Sequence, residues 1–311
     1  MLLVSYVRED EVRRLGVQDQ DAVLDVAALA AAHGAPLPGL GEAPASVRDA
    51  IGAGPELLVQ LRELLAAPVP EGVRLPLSAV RLRAPLRPGK VVGVGLNYTE
   101  HVAESARTLD TDKELPQRPV LFSKPATAVT GPGEPIWHNG ELTAQLDWEC
   151  ELAVVIGKTA SRVRPEDALD HVFGYSIVND ISARDQRRGG QWFFSKGQDS
   201  YAPLGPAVRT ADTVPDPQNL DLLLKVNGEV KQKGNTRHML FRIPELIADI
   251  SSGMTLEPGD VIATGSPAGV GASFTPQQFL TPGDVVEASI ESIGTLRNPV
   301  VDAREAGAER G

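Results

Sequence analysis

Apolar residues fall along this chain in short, strand-length runs, and only a few stretches repeat them at helical spacing. Leu2 to Val7 predicts a strand, with further short pieces around turns at Arg14 to Val17 and Ala22 to Asp25. Val26 to His33 is alanine-rich and predicts a helix stopped by Gly34 and Pro36. Glu56 to Leu65 places Leu57, Leu58, Leu61, Leu64 and Leu65 on one face, the pattern of an amphipathic helix. Pro68, Pro70, Pro76, Pro85 and Pro88 then interrupt regular structure and set a domain boundary near residue 78. Beyond it, strands are predicted at Lys90 to Val94, Val120 to Lys124, Trp148 to Ile156 and Val172 to Val178. Leu220 to Val226, Asn227-Gly228 and Glu229-Val230 spell a hairpin with a type I′ turn. A helix over Ile243 to Ile250 and closing strands at Asp284 to Ile290 and Gly294 to Val301 complete the pattern. Strands outnumber helices and hairpins outnumber crossovers, so the chain is expected to be α+β, β-rich and mixed. The expected organisation is a small N-terminal α/β domain (1–78), a main domain (79–302) and a disordered polar tail (303–311).

The strand ending at Ile156 carries the chemistry. Side chains alternate along a strand, so Glu149 and Glu151 point one way while Trp148, Cys150 and Leu152 point the other. Two carboxylates on neighbouring same-face positions repel, and a core strand needs a cation beside them. Asp180, closing the next apolar run, is a third carboxylate that can reach the same point. Three hard oxygen donors with no adjacent histidine suit Mg²⁺ or Mn²⁺, with Ca²⁺ the weaker fit, rather than Zn²⁺. The competing view puts both glutamates on the solvent face of an edge strand.

Composition narrows the partners. A formal charge of -11 and a pI near 5.0 argue against nucleic acid, because nothing would neutralise phosphates. One cysteine excludes a disulfide framework. No signal peptide and no membrane-length apolar run is evident, so a cytoplasmic protein is expected.

Other motifs divide into those rejected and those retained. Gly93 and Gly95 open a G-x-G, but Tyr98 stands where a dinucleotide fingerprint needs its third glycine; the loop from Gly265 to Gly271 lacks the lysine of a phosphate loop. His101 and Glu104 share a helix face three residues apart, either as a base with its orienting carboxylate or as an ordinary surface pair. Lys124 stands before Pro125 and so in extended backbone. Arg184 follows Asp180 by four residues and could grip a carboxylate bidentately. Lys196 emerges from Trp192, Phe193 and Phe194, either desolvated and aimed or snorkelling from the core.

Six blocks in one order then carry a resemblance: G-x-N-Y-x-x-H-x-x-E (Gly95 to Glu104), F-x-K-P (Phe122 to Pro125), D-W-E-C-E-L (Asp147 to Leu152), N-D-x-S-A-R-D (Asn179 to Asp185), W-x-x-x-K (Trp192 to Lys196) and T-G-S-P-x-G-V-G (Thr264 to Gly271). Over residues 90 to 301 the chain resembles the fumarylacetoacetate hydrolase family, in particular its acylpyruvate hydrolase and 2-hydroxyhepta-2,4-diene-1,7-dioate isomerase branch. The resemblance implies a mixed β-roll or sandwich assembled as a homodimer. It implies Mg²⁺ or Mn²⁺ on Glu149, Glu151 and Asp180, and a water-activating dyad of His101 and Glu104. Lys196 is implied to stabilise oxyanion charge or shuttle a proton, Lys124 and Arg184 to contact substrate, and Thr264 and Ser266 to line the pocket. The implied reaction is hydrolysis of a carbon-carbon bond in a small 2-oxo acid such as an acylpyruvate. Alternatives are an isomerase, an oxaloacetate decarboxylase, or, outside enzymes, a metal and keto-acid binding protein. Leu96 departs from members with a basic residue before Asn-Tyr, and Arg187-Arg188-Gly189-Gly190 sits in a segment shorter than in some relatives.

Overall fold

The structure, a computed structural model, describes residues 1–41, 45–100 and 115–306. Strands β1 (Leu2–Val7), β2 (Arg14–Asp19) and β3 (Ala22–Asp25) form an antiparallel meander. Helix α1 (Val26–His33) starts where Asp25 Oδ1 accepts the Ala28 amide at 2.9 Å, and α2 (Val47–Ala53) and α3 (Pro55–Ala66) follow. Pro55 begins α3 at a position where its missing N–H costs nothing. Leu57, Leu61 and Leu64 of α3 are buried with Leu29 of α1 and Ile51 of α2. Strands β4 (Arg74–Pro76) and β5 (Arg81–Arg83) return to pair with β3 and β1.

The remaining strands are β6 (Val91–Gly95), β7 (Val120–Lys124), β8 (Val129–Thr130), β9 (Ile136–His138), β10 (Leu146–Asp147), β11 (Cys150–Ile156), β12 (Val172–Asn179), β13 (Ser182–Ala183) and β14 (Ala202–Thr210). They continue with β15 (Asp221–Val226), β16 (Glu229–Asn235), β17 (Val261–Ala263), β18 (Val285–Ile290) and β19 (Gly294–Asp302). One turn of helix, α4 (Phe193–Lys196), precedes β14; α5 (Ile243–Gly253) follows β16; α6 (Ala303–Ala306) follows β19. The main sheet runs β4-β3-β2-β1-β14-β12-β11-β17-β6-β7. Because β1 pairs antiparallel with β14, this sheet passes unbroken from the leading segment into the rest of the chain. A second sheet, β16-β15-β18-β19-β9, packs with α5 against one side. Its hairpin turns at Asn227 and Gly228, whose φ angles of 52° and 81° are those of the predicted turn.

β11 lies at the centre and is buried along its whole length. Cys150, Leu152, Val154 and Ile156 face the core shared with the second sheet, while Ala153 and Val155 face the core shared with α1 to α3. Glu151 has the parity of Ala153 and Val155, so it points to their side of the sheet. The strand expected from Trp148 instead begins at Cys150. Side chains take the amides that a ladder would use: the Trp148 amide donates to Asp147 Oδ1 at 2.8 Å and the Glu149 amide to Asn179 Oδ1 at 3.0 Å.

Candidate active site

Register brings the acidic residues together. Cys150 stands opposite Asn179 across β11 and β12, and the Asp180 amide donates to the Glu149 carbonyl at 2.8 Å. As a result Glu149, Glu151 and Asp180 each present a carboxylate oxygen within 4.8 Å of the others. All three are buried. Glu151 Oε2 accepts the Gly265 amide at 2.9 Å. Gly265 has φ of 96°, and a Cβ there would come within 2.7 Å of Asn97 Cβ, so only glycine lets this amide approach. Asn97 fixes the same loop, donating from Nδ2 to the Thr264 carbonyl at 2.8 Å and the Phe241 carbonyl at 3.0 Å.

Among the described residues, three cations surround the cluster. Lys196 Nζ lies 2.7 Å from Glu149 Oε2, 2.5 Å from Asp180 Oδ2 and 2.8 Å from Ser182 Oγ. Burial works against its ammonium, but Asp180 and Glu149 outweigh burial and raise its pKa. Arg184 bridges Asp147 Oδ2 (Nε, 2.8 Å) and Glu149 Oε1 (Nη2, 2.7 Å). Lys124 Nζ pairs with Asp180 Oδ1 at 2.6 Å and donates to the carbonyls of Ile181 (3.1 Å), Tyr201 (2.7 Å) and Lys196. Burial lowers its pKa to about 8, with Asp180 opposing.

Among the described residues, with Asp147, four carboxylates meet three cations, and the deficit falls on Glu151. Burial first, then Asp180 and Glu149, push its pKa well above the carboxylate range. Asp180 Oδ1 is buried against Lys124 Nζ at 2.6 Å. A shortfall of positive charge among the described residues and an all-oxygen donor set within 4.8 Å fit a hard divalent cation at Glu149, Glu151 and Asp180.

A cleft stands over Glu149 and Glu151, lined by Leu96, Arg184, Arg187, Trp192, Lys196 and Ser266 among others. Ser266 lines this cleft, its hydroxyl accepting from Gln232 Nε2 at 2.7 Å. Lys124, expected to contact substrate, is fully buried against Asp180 and is not among the residues named as lining the cleft. Thr264 is also fully buried, its hydroxyl donating to the Leu152 carbonyl at 2.8 Å. Arg184 reaches the cleft, but its guanidinium is engaged by Asp147 and Glu149. His101 and Glu104 lie outside the described residues. Sequence reasoning missed Asp147, the buried acid that orients Arg184 and takes the amides of Gly271 (2.6 Å) and Ala272 (3.0 Å). Its one signal was a position beside the paired glutamates.

Fold and site together define a β-rich enzyme with a carboxylate centre suited to a divalent metal. Comparison with known proteins makes this specific: residues 90–301 match the family described as fumarylacetoacetate (FAA) hydrolase C-terminal, and the chain belongs to that family. It is 47% identical over 227 residues to the oxaloacetate tautomerase YisK of Bacillus subtilis, covering 72% of this chain and 74% of that protein. The structure resembles fumarylacetoacetate hydrolase from Exiguobacterium antarcticum, with a TM-score of 0.78 and 37% identity over 97% of this chain and all (100%) of that one. It also resembles maleylpyruvate hydrolase from Sphingobium sp. SYK-6 in complex with manganese and pyruvate, with a TM-score of 0.75 and 33% identity over 97% and 99% of the two chains. No helix among the described residues is long and apolar enough to cross a membrane.

Proposed function

We propose that this protein is a divalent-metal-dependent enzyme that interconverts the enol and keto forms of a small 2-oxo dicarboxylate, with oxaloacetate the first substrate to try. One observation carries this: Glu149, Glu151 and Asp180 converge within 4.8 Å beside a cleft whose lining also bears the Lys196 ammonium. Similarity to an oxaloacetate tautomerase supports it. Mg²⁺ or Mn²⁺ held by the three carboxylates would supply Lewis acidity that favours enolate charge on a 2-oxo acid.

The chain's own residues supply the proton traffic. Ketonisation moves one proton from the enol oxygen to C3. Lys196 Nζ, steadied by Ser182 Oγ at 2.8 Å, protonates C3 and takes the enol proton in return, so the lysine ends as it began. Arg184 keeps Glu149 in place, and Lys124 does the same for Asp180. Val94, Leu96 and Trp192 make the cleft wall apolar, which strengthens these charges. A homodimer belongs to the same proposal and is tested by mass in solution.

Cleavage of an acylpyruvate is the second reading, favoured by likeness to maleylpyruvate hydrolase. It needs a base for water, which His101 with Glu104 would provide. The experiment follows the enol absorbance of oxaloacetate, and separately product release from acylpyruvates, with metal-depleted and manganese-restored protein. Lys196→Met should slow ketonisation about 100-fold or more. His101→Ala should abolish cleavage and spare ketonisation. Full ketonisation by Lys196→Met would refute the lysine's role, and pyruvate with CO₂ as the enzymatic products of oxaloacetate would establish decarboxylation instead.

A further inference from the structure

Gln232 lies on β16 with 1% exposure, and its side chain joins that strand to β11 and to the glycine-rich loop. Main-chain groups fix which way round its amide lies. Oε1 accepts the Cys150 amide at 2.9 Å, and a backbone N–H can only donate; Nε2 donates to the Pro267 carbonyl at 2.8 Å, and a carbonyl can only accept. The second Nε2 hydrogen is then given to Ser266 Oγ at 2.7 Å. Strand and loop are closely fitted here: a Cβ on Gly234, two residues along β16, would come within 2.6 Å of Pro267 Cβ.

This arrangement commits Ser266. Its oxygen accepts from Gln232, its side chain lines the cleft, and among the described residues its own proton is given to no protein acceptor. Its neighbour Gly265 donates to Glu151 Oε2 at 2.9 Å, so Ser266 stands one residue from a contact with the acidic cluster.

We infer that Gln232 is a positioning residue that holds Ser266 as a hydrogen-bond donor into the cleft, toward an anionic oxygen of the bound ligand. That the ligand is a 2-oxo acid rests on the function proposed above; the polarity of Ser266 follows from the protein's own groups. A serine hydroxyl without such a partner rotates to whichever acceptor is near. Held by Gln232, its proton is aimed before the ligand arrives, and binding loses little entropy in ordering it. A carboxylate or enolate oxygen suits this donor, because the bond is charge-assisted. Gln232 also ties the donor to the carboxylates, since the Cys150 amide it accepts lies between Glu149 and Glu151 in the chain.

The test is calorimetric titration of the manganese-loaded full chain with oxalate, an unreactive dianion bearing only acceptor oxygens. Ser266→Ala should weaken oxalate about 10- to 100-fold, the worth of a hydrogen bond to a charged group, and Ser266→Thr, which keeps the hydroxyl, should stay within about threefold of native. In either charge state the side chain of Gln232→Glu has at most one hydrogen, which the Pro267 carbonyl takes. Ser266 then meets an acceptor and turns its proton away from the cleft, so oxalate should weaken to about the same extent. The double variant decides: Gln232→Glu with Ser266→Ala should bind oxalate within about threefold of either single variant. Additive losses would show that Gln232 only supports the fold, and would overturn the inference. Should Gln232→Glu fail to fold, Gln232→Met replaces it in the cycle, and the loss caused by Ser266→Ala should shrink by about threefold or more in that background. Equal kcat/KM on oxaloacetate for native protein and Ser266→Ala overturns the inference alone. Coupled oxalate binding without turnover of oxaloacetate removes the proposed reaction and leaves the role of Gln232 standing, while native protein that does not bind oxalate overturns both.

Discussion

Asp147→Asn changes one oxygen to an NH₂ group in a side chain with no solvent exposure. Oδ1 accepts the amides of Trp148 at 2.8 Å and Gly271 at 2.6 Å, while Oδ2 accepts the Ala272 amide at 3.0 Å and Arg184 Nε at 2.8 Å. An asparagine keeps its oxygen on the first pair and sets a donor against the two donors of the second. One neutral bond is lost at about 1 kcal/mol and one charge-assisted bond at about 1.5–3 kcal/mol. The Arg184 guanidinium is left buried with Glu149 as its remaining carboxylate partner among these contacts. A total loss of about 2.5–4 kcal/mol follows, overlapping the roughly 3–5 kcal/mol for breaking a buried pair. Against the roughly 5–15 kcal/mol of a typical domain this is large. Urea unfolding of the metal-free protein measures it, and at a slope of about 3 kcal/mol/M the midpoint should fall by about 1 M. Because Arg184 also orients Glu149, Mn²⁺ affinity should drop about 10- to 100-fold in the same variant. A stability change below about 1 kcal/mol would refute the view that this carboxylate fastens the Gly271 loop and Arg184 to the metal strand.

Glu151→Gln separates metal binding from folding. Burial and the charges of Asp180 and Glu149 already disfavour ionised Glu151, so the metal-free variant should be at least as stable as the native protein. Its Mn²⁺ affinity, read by calorimetry, should fall by about 100-fold or more; retained affinity would remove Glu151 from the ligand set. Glu134 tests the acid limb of stability. Burial opposes its ionisation, yet the Gly131 amide, Arg83 (2.6 Å) and Thr130 (2.9 Å) outweigh burial and hold its pKa below the usual value. A depressed carboxyl pKa contributes stability that is present above the unfolded value and is lost as pH falls through the folded one. Glu134→Gln should therefore flatten the decline in unfolding midpoint between roughly pH 6 and pH 3, and an unchanged acid slope would sink the assignment.

Local pattern was enough for many elements. The strand Leu2–Val7 and the helix Val26–His33 stand as predicted, because a short apolar run and an alanine run stopped by Gly34 are read over a few neighbouring residues. The Asn227-Gly228 turn also follows from local chemistry, since both positions need positive φ. The break at Trp148 and Glu149 was not legible, because it depends on Asp147 and Asn179 side chains taking backbone amides. Lys124 shows the same limit: a lysine before proline gives no sign that its ammonium will be wholly buried under Asp180.

By itself the sequence determined that the chain is β-rich and acidic, belongs with a known family by six ordered blocks, and carries three acids able to meet. Side-chain parity along one strand and the end of the next apolar run are local properties, so the pattern of residues contains them. Tertiary structure alone decided which cations answer those acids, that Arg184 is held by Asp147, and that Arg187 stands over Trp192 at the cleft wall. These depend on strand register and on loops packed from distant parts of the chain. Whether a charge there is buried, shared or presented is a question of distances that no spacing in the sequence records.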